Sequence, residues 1–406
     1  MGRSIRQTGD MQASDLKQIA DWISGGVSRA PLPEDLMQEM CDRLVAAGVQ
    51  LGRVGVFVRT LHPQIFGRSY VWRPGHGVTG FSAPFGIDES PEFRTSPLSI
   101  LYATGREVRR RSAEIQADTG SPFLADLRNE GVTDYIAFPL KFLDGVVHAA
   151  SWTTMAPGGF TDAQVDGLRS LMAPLARVIE IIRMHRTAAT LLNTYVGNRA
   201  GERILAGQIR RGHTETMLAA IWLSDLRGFT PLSDRLAPEA VVEVLNLYFD
   251  CQVEPILAHG GEVLKFMGDG LLAVFPIAEG GTDATEVCQR VLEAARESRA
   301  KVAALRYTHG EEVLESFRFG LALHVGNVLY GNIGGGNRLD FTCIGPAVNL
   351  AARLEKIAAR LNRTVVASAG FANASANGWS DLGAFPIAGF ANAERVYGLT
   401  DEDAQA

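Results

Sequence analysis

Cysteine is scarce and scattered. Cys41, Cys251, Cys288 and Cys343 are the only four in 406 residues, and no two form a CxxC pair. That spacing excludes a disulfide frame and a thiolate zinc site and leaves reduced thiols. The eight histidines form no HxxxH or HExxH arrangement; His324, inside an apolar run, reads as a packed or hydrogen-bonded side chain. Long apolar runs are also missing. No stretch reaches the roughly 18 uninterrupted apolar residues of a membrane span. Met1–Arg6 has no apolar core of the kind a secretory signal carries, and Arg6 stands where a myristoylation start requires Ser or Thr. Basic runs go no further than Arg109–Arg111 and the net charge is −6, which argues against a nucleic-acid surface. The expectation is a cytoplasmic protein with neither membrane nor nucleic acid as partner.

The composition is that of a folded protein, 46% hydrophobic and 21% charged, with length for two or three domains. Leu16, Ile19, Ile23 and Val27 follow helical spacing in an N-terminal lead over residues 1–30. Pro31 and Pro33 punctuate, and Glu34–Ala47 reads as an amphipathic helix ending at Gly48. Val54–Val58 and Ser69–Trp72 are β-rich runs. Helical patterns follow at Phe93–Gly105 and Phe123–Gly131, then a hairpin of Asp134–Leu140 with Val146–Trp152. The helix from Thr161 spaces Leu168, Met172, Leu175, Ile179 and Ile182 by fours and threes. That stripe fits either a parallel coiled-coil seam or the core-facing side of a domain-terminal helix, and Pro174 inside it predicts a kink or a helix start. Residues 183–215 continue as a helical linker.

The second half alternates strands and helices. A strand at Ala219–Ser224 precedes helices at Pro231–Leu236 and Pro238–Ala258. A hairpin of Glu262–Phe266 with Leu271–Phe275 turns at Gly268–Gly270, and Thr282–Leu305 is helical. Phe317–Val325 is a strand with partners near Val328–Ile333, and Phe341–Ile344 leads into a helix at Pro346–Leu361. Short strands close the pattern at Thr364–Ala367 and Glu394–Leu399. This order predicts an α+β, ferredoxin-like sheet with helices on one face.

Three segments carry chemistry. Ile221–Thr230 ends an apolar strand at Asp225, and Gly261–Gly270 puts Asp269 in a hairpin turn. Two carboxylates meeting at the mouth of one sheet suit hard divalent cations held against a polyphosphate. The backbone amides from Leu226 to Phe229 open a helix and suit phosphate oxygens. In Asp340–Glu355, Asn349 and Arg353 stand four residues apart on one helix face. Gly334–Gly336 lacks the GxxxxGK[ST] order and reads as a hairpin connection.

With the three segments in this order, residues 216–400 resemble the class III nucleotide cyclase catalytic domain. The resemblance implies conversion of ATP to 3′,5′-cyclic AMP and pyrophosphate, with two Mg2+ or Mn2+ per site held by Asp225 and Asp269. It makes Lys265 and Thr342 the purine readers, Thr342 by motif register in preference to Asp340. Asn349 orients the ribose and Arg353 stabilises charge on phosphorus; Phe229 and Arg338 are further substrate contacts. Lysine at 265 favours adenine, because it has no acceptor for the donors of guanine. Guanylate cyclase, or a cyclase-shaped module without turnover, is the alternative. Ala388 departs from the family pattern, which places a lysine or arginine there for the triphosphate. Metal ligands and purine readers come from different subunits in this family, so a homodimer is implied. Residues 31–182 resemble a GAF domain, which implies a sensor with a small-molecule ligand.

Overall fold

The computed structural model describes residues 13–25, 32–62, 65–117, 120–278, 283–309, 312–314, 316–336, 338–375, 378–390 and 392–405. Val27, Thr282 and the first twelve residues lie outside them. The chain divides into two compact units, residues 1–191 and 192–406.

The first unit contains α1 (Ala13–Ser24), α2 (Pro33–Ala46), β1 (Arg53–Arg59), β2 (Gly67–Arg73), β3 (Gly77–Ala83), α3 (Pro91–Arg94), α4 (Pro97–Thr104), β4 (Val108–Arg111), α5 (Ser112–Ala117), α6 (Pro122–Asn129), β5 (Asp134–Lys141) and β6 (Val147–Thr154). The helix α7 (Asp162–Val196) runs on from it. The strands form one sheet in the order β3-β2-β1-β6-β5-β4, antiparallel throughout. Alternation along the strands gives both faces a core. Val54, Val56, Ile136, Phe138 and Trp152 pack with α1, α2 and α7 on one face. Tyr135, Ala137 and Ala149 pack with Leu101, Ile115, Leu124 and Leu127 on the other. Pro33 at the first turn of α2 and the Ser121 hydroxyl, which accepts from the Leu124 amide, start their helices.

The stripe on α7 resolves one of the open alternatives. Leu168, Met172, Leu175 and Ile179 are buried in the core of the first unit, so they form the core-facing side and no seam. The helix passes unbroken through Pro174. It ends at Val196, inside the linker expected at 183–215: Gly197, at φ +87°, breaks the chain before α8 (Asn198–Leu205).

The second unit continues with β7 (Thr214–Leu226), α9 (Phe229–Arg235), α10 (Pro238–Ala258), β8 (Glu262–Met267), β9 (Gly270–Pro276), α11 (Ala284–Ala304), β10 (Tyr307–His309), β11 (Glu312–Leu314), β12 (Phe319–Gly335), β13 (Arg338–Ile344), α12 (Pro346–Arg360), β14 (Val365–Ser368), α13 (Ala369–Ala374), β15 (Trp379–Phe385) and β16 (Glu394–Leu399). Its large sheet has the order β15-β16-β14-β12-β7-β9-β8, with β13 paired to β12. The two strand runs expected at 317–325 and 328–333 are one strand, β12, antiparallel to β7 from Phe319↔Leu226 to Gly331↔Thr214. Helices cover both faces, against the one-face expectation. Ala220 and Trp222 of β7 share a core with α10 and α11, whereas Ala219, Ile221 and Leu223 share one with Ala200 of α8 and Ala347 and Ala351 of α12. The small residues of α12 let it lie close on the sheet. Among the described residues, no helix is long and apolar enough to cross a membrane.

Candidate active site

Asp225 stands next to last in β7, a central strand, between two glycines: Gly270 of β9 on one side and Gly320 of β12 on the other. Neither neighbour has a side chain to fill the space around the carboxylate. Asp269 occupies the tight turn between β8 and β9, and its carbonyl accepts from the Leu226 amide at 3.3 Å. Strand pairing and this bond bring the two acids together. Burial pushes the Asp225 carboxyl up to about 6, and the negative charges of Asp269 and Glu355 add to the rise while Arg227 opposes it.

Glu355 and Arg227 are participants that sequence reasoning missed. Arg227 Nη1 lies 2.6 Å from Glu355 Oε1. A Cβ on Gly320 would meet the guanidinium at 1.7 Å and the Glu355 carboxylate at 2.9 Å, so this pair needs a bare Cα. A glycine inside an apolar strand was the available signal. The amides expected as a phosphate cradle are partly taken: Leu226 donates to Asp269 and Arg227 donates to the Arg318 carbonyl. That leaves Gly228, at φ +74°, and Phe229 at the start of α9 from the expected set.

The acid pair fits a divalent cation by its donor set. Burial and the charge of Asp269 make the Asp225 carboxylate costly to ionise, and a hard cation with oxygen preference relieves it. Among the described residues no group of three or more His, Cys, Asp or Glu side chains could hold a metal. Two carboxylates on their own fill only part of a hard cation's coordination shell.

Lys265 is half-buried in β8 beside a bulge between Val263 and Lys265. Its positive charge reaches Cys343, whose thiol burial pushes up to about 11 against that opposing field. Thr342, the neighbour of Cys343, pairs with Gly331 in the β12–β13 ladder. It is 4% exposed, and its hydroxyl has no partner among the described residues. Asp340, two positions earlier, is exposed, as is Arg338 beside the hairpin turn.

Asn349 and Arg353 project from the exposed face of α12, and Arg353 makes no ion pair or hydrogen bond among the described residues. Its sequence neighbour Glu355 is committed to Arg227. No hydrogen bond or ion pair joins Asn349 or Arg353 to Asp225 or Asp269 among the described residues. Ala388 is exposed in the turn between β15 and β16. His324 is hydrogen-bonded, with Nδ1 2.7 Å from the Ser368 hydroxyl.

Residues 213–372 match the family model described as Adenylate and Guanylate cyclase catalytic domain. All eight site positions lie inside the match, whereas Ala388 lies beyond it. The chain is 32% identical over 147 residues to adenylate cyclase 1 of Rhizobium meliloti (strain 1021), covering 36% of this chain and 21% of that protein. It is 32% identical over 151 residues to the adenylate cyclase of Anabaena cylindrica, covering 36% and 28%. The matched stretch is thus a small part of each relative. Among solved structures, a bacterial light-regulated adenylyl cyclase is similar at 29% identity, with a TM-score of 0.40 and coverage of 46% of this chain and 92% of that one.

Proposed function

We propose that residues 216–400 form an adenylate cyclase catalytic domain that converts ATP to 3′,5′-cyclic AMP and pyrophosphate. The observation that carries this reading is Asp225 and Asp269 meeting at one end of the sheet, with glycines flanking Asp225 on both sides. In the reaction the ribose 3′-oxygen loses its proton and bonds to the α-phosphorus, while the bond from that phosphorus to the bridging oxygen of pyrophosphate breaks. A divalent cation held by Asp225 and Asp269 would neutralise charge on the phosphates and acidify the 3′-hydroxyl. Gly228 and Phe229 offer amides to phosphate oxygens. Arg353, free of a protein carboxylate, is available to the α-phosphate, where a fixed cationic fork is most effective. Asn349, one turn earlier, orients the ribose.

Adenine is preferred over guanine because Lys265 supplies only donors to the purine edge. The buried, unpartnered Thr342 hydroxyl supports a second contact there, since a purine amine would satisfy it. The resemblance to class III cyclases, in which metal ligands and purine readers come from different subunits, supports a homodimer in which each site draws on two chains. Ala388 removes one cation from the triphosphate, and Arg338 is the nearest substitute in sequence logic. The antiparallel six-stranded sheet between helical layers supports a GAF-like sensor in residues 31–182 that regulates this domain. Product analysis with ATP or GTP, each with Mg2+ or Mn2+, tests the reading. Cyclic AMP from ATP is expected; cyclic GMP as main product, or no product with either metal, overturns it.

A further inference from the structure

A cavity of 460 Å³ lies within the first unit, walled by the edge of β1 and β2 and by α3, α4 and α6. Six of its 21 lining residues are aromatic, and five of them, Phe57, Phe66, Phe93, Tyr102 and Phe123, accompany Arg59, a half-buried cation. The guanidinium carbon of Arg59 lies 5.1 Å from the Phe66 ring centre and 5.2 Å from that of Tyr102. Its Nε is buried and has no hydrogen-bond partner among the described residues. The whole side chain makes no ion pair or hydrogen bond among the described residues. Other enclosed arginines of this unit are matched: Arg53 with Glu130, Arg109 with Asp134 and Arg183 with Asp144.

A guanidinium keeps its charge when enclosed and is costly to desolvate without an anion. Aromatic faces offset part of that cost but do not fill the donor positions. We propose that this cavity binds a flat aromatic carboxylate, whose carboxylate meets Arg59 and whose ring stacks among the aromatic side chains. The volume is of single-ligand size. A phosphate or polyphosphate fits less well, because Arg59 stands alone inside. The other charged lining residues, Arg68, Glu92 and Asp126, are exposed, and two of the three are acidic.

The test is calorimetric titration of the full chain, without nucleotide, using 2-naphthoate and its neutral isostere 2-naphthamide. Wild type is expected to bind naphthoate about tenfold or more tighter, the scale of one charge-assisted hydrogen-bond pair. Arg59→Met should remove that preference while leaving naphthamide affinity within about twofold, since the aromatic walls remain. Ser69→Phe, which places a ring in the lining, should weaken both probes. Equal affinity for the two probes, saturable binding of neither, or tighter binding of naphthyl phosphate than of naphthoate would overturn the proposal. Should Arg59→Met fail to fold, the comparison of probes on wild type still decides. Because the readout is binding to the first unit, its outcome is independent of cyclase turnover.

Discussion

Arg227 and Glu355 meet over the bare Cα of Gly320, the residue paired with Asp225 in the sheet. The ion pair fixes α12 against the strand end that carries the acid and partly offsets the negative charge there. Gly320→Ala forces the guanidinium out of this position. The expected cost is about 1 kcal/mol or less in stability, because the displaced atoms are flexible side-chain ends and what is lost is one ion pair. Turnover should fall about tenfold or more, because displacements of an ångström at such sites are enough for that. Unchanged kcat together with an unchanged Tm would show that the pair is incidental.

Asp225→Ala and Asp269→Ala are each expected to abolish turnover while leaving the far-ultraviolet circular dichroism and cooperative melting intact, because both side chains stand at strand ends outside the apolar cores. Arg353→Ala should be inactive as well. Equimolar mixing of Asp225→Ala with Arg353→Ala is expected to recover about a quarter of wild-type activity, since half the dimers are mixed and each holds one intact site. Mixed dimers detected by differential tagging but showing no activity would sink the shared-site arrangement.

Thr342 separates stability from function. Its buried hydroxyl has no partner among the described residues, and such a group costs on the order of 1 kcal/mol. Thr342→Val, of the same shape, should therefore raise the Tm and at the same time raise KM for ATP. Lys265→Glu combined with Thr342→Ser should weaken ATP use and admit GTP. Retention of full ATP preference by the double variant would place purine recognition elsewhere.

Much of this was legible in the sequence because the decisive signals are local. An apolar run closed by Asp225, a hairpin turn at Asp269 and a four-residue spacing on α12 each follow from one segment. The Arg227–Glu355 pair was not, because its partners stand far apart in sequence and meet only when β7, β12 and α12 pack. The same holds for the amides of Leu226 and Arg227, which are taken by Asp269 and Arg318. Helices on both faces escaped notice because β7 is apolar at odd and even positions alike, so its pattern shows no single buried side. The strands β3, β4 and β15 are illegible for other reasons: β4 is four residues with three arginines, and glycines interrupt β3 and β15.

His148 gives the first unit a defined acid response. It is fully buried in β6, its Nδ1 accepts the Arg59 amide at 3.1 Å, and its Nε2 has no partner among the described residues. Burial, then the charge of Arg183, lowers its pKa to about 4, with Asp144 opposing. A base with a depressed folded pKa binds fewer protons than the unfolded chain does between that value and about 6.5. Its stabilising contribution is therefore present above about pH 6.5 and lost as pH falls towards 4, by up to on the order of 3 kcal/mol. His148→Asn, whose amide oxygen can replace Nδ1 as acceptor, should be less stable at pH 8 but flatter between pH 7 and 5. Urea unfolding of both chains at those pH values checks this; parallel pH curves would remove His148 as the cause.

The exposed side of α7 redirects the question of how subunits align. Ile179 is a core residue, 4% exposed, so polar replacement there would unfold the first unit and reveal nothing about association. Besides Tyr195, the large apolar residues of α7 left in solvent are Ile181 at 67%, Met184 at 62% and Leu191 at 37%. With half-buried Ala188 between the last two, their spacing is three, four and three, the period of a coiled-coil seam. This stripe is rotated away from the core stripe on the same helix and remains available to a second copy of the chain. Ile181→Glu with Met184→Glu should leave the Tm of the first unit unchanged, because neither side chain is in its core. The double variant should shift the full chain towards monomer and lower cyclic AMP production in proportion, since a site made from two chains requires their association. Light scattering and turnover measured across a protein dilution series separate the effects. A variant that dimerises and turns over as wild type would assign association to the catalytic domains alone.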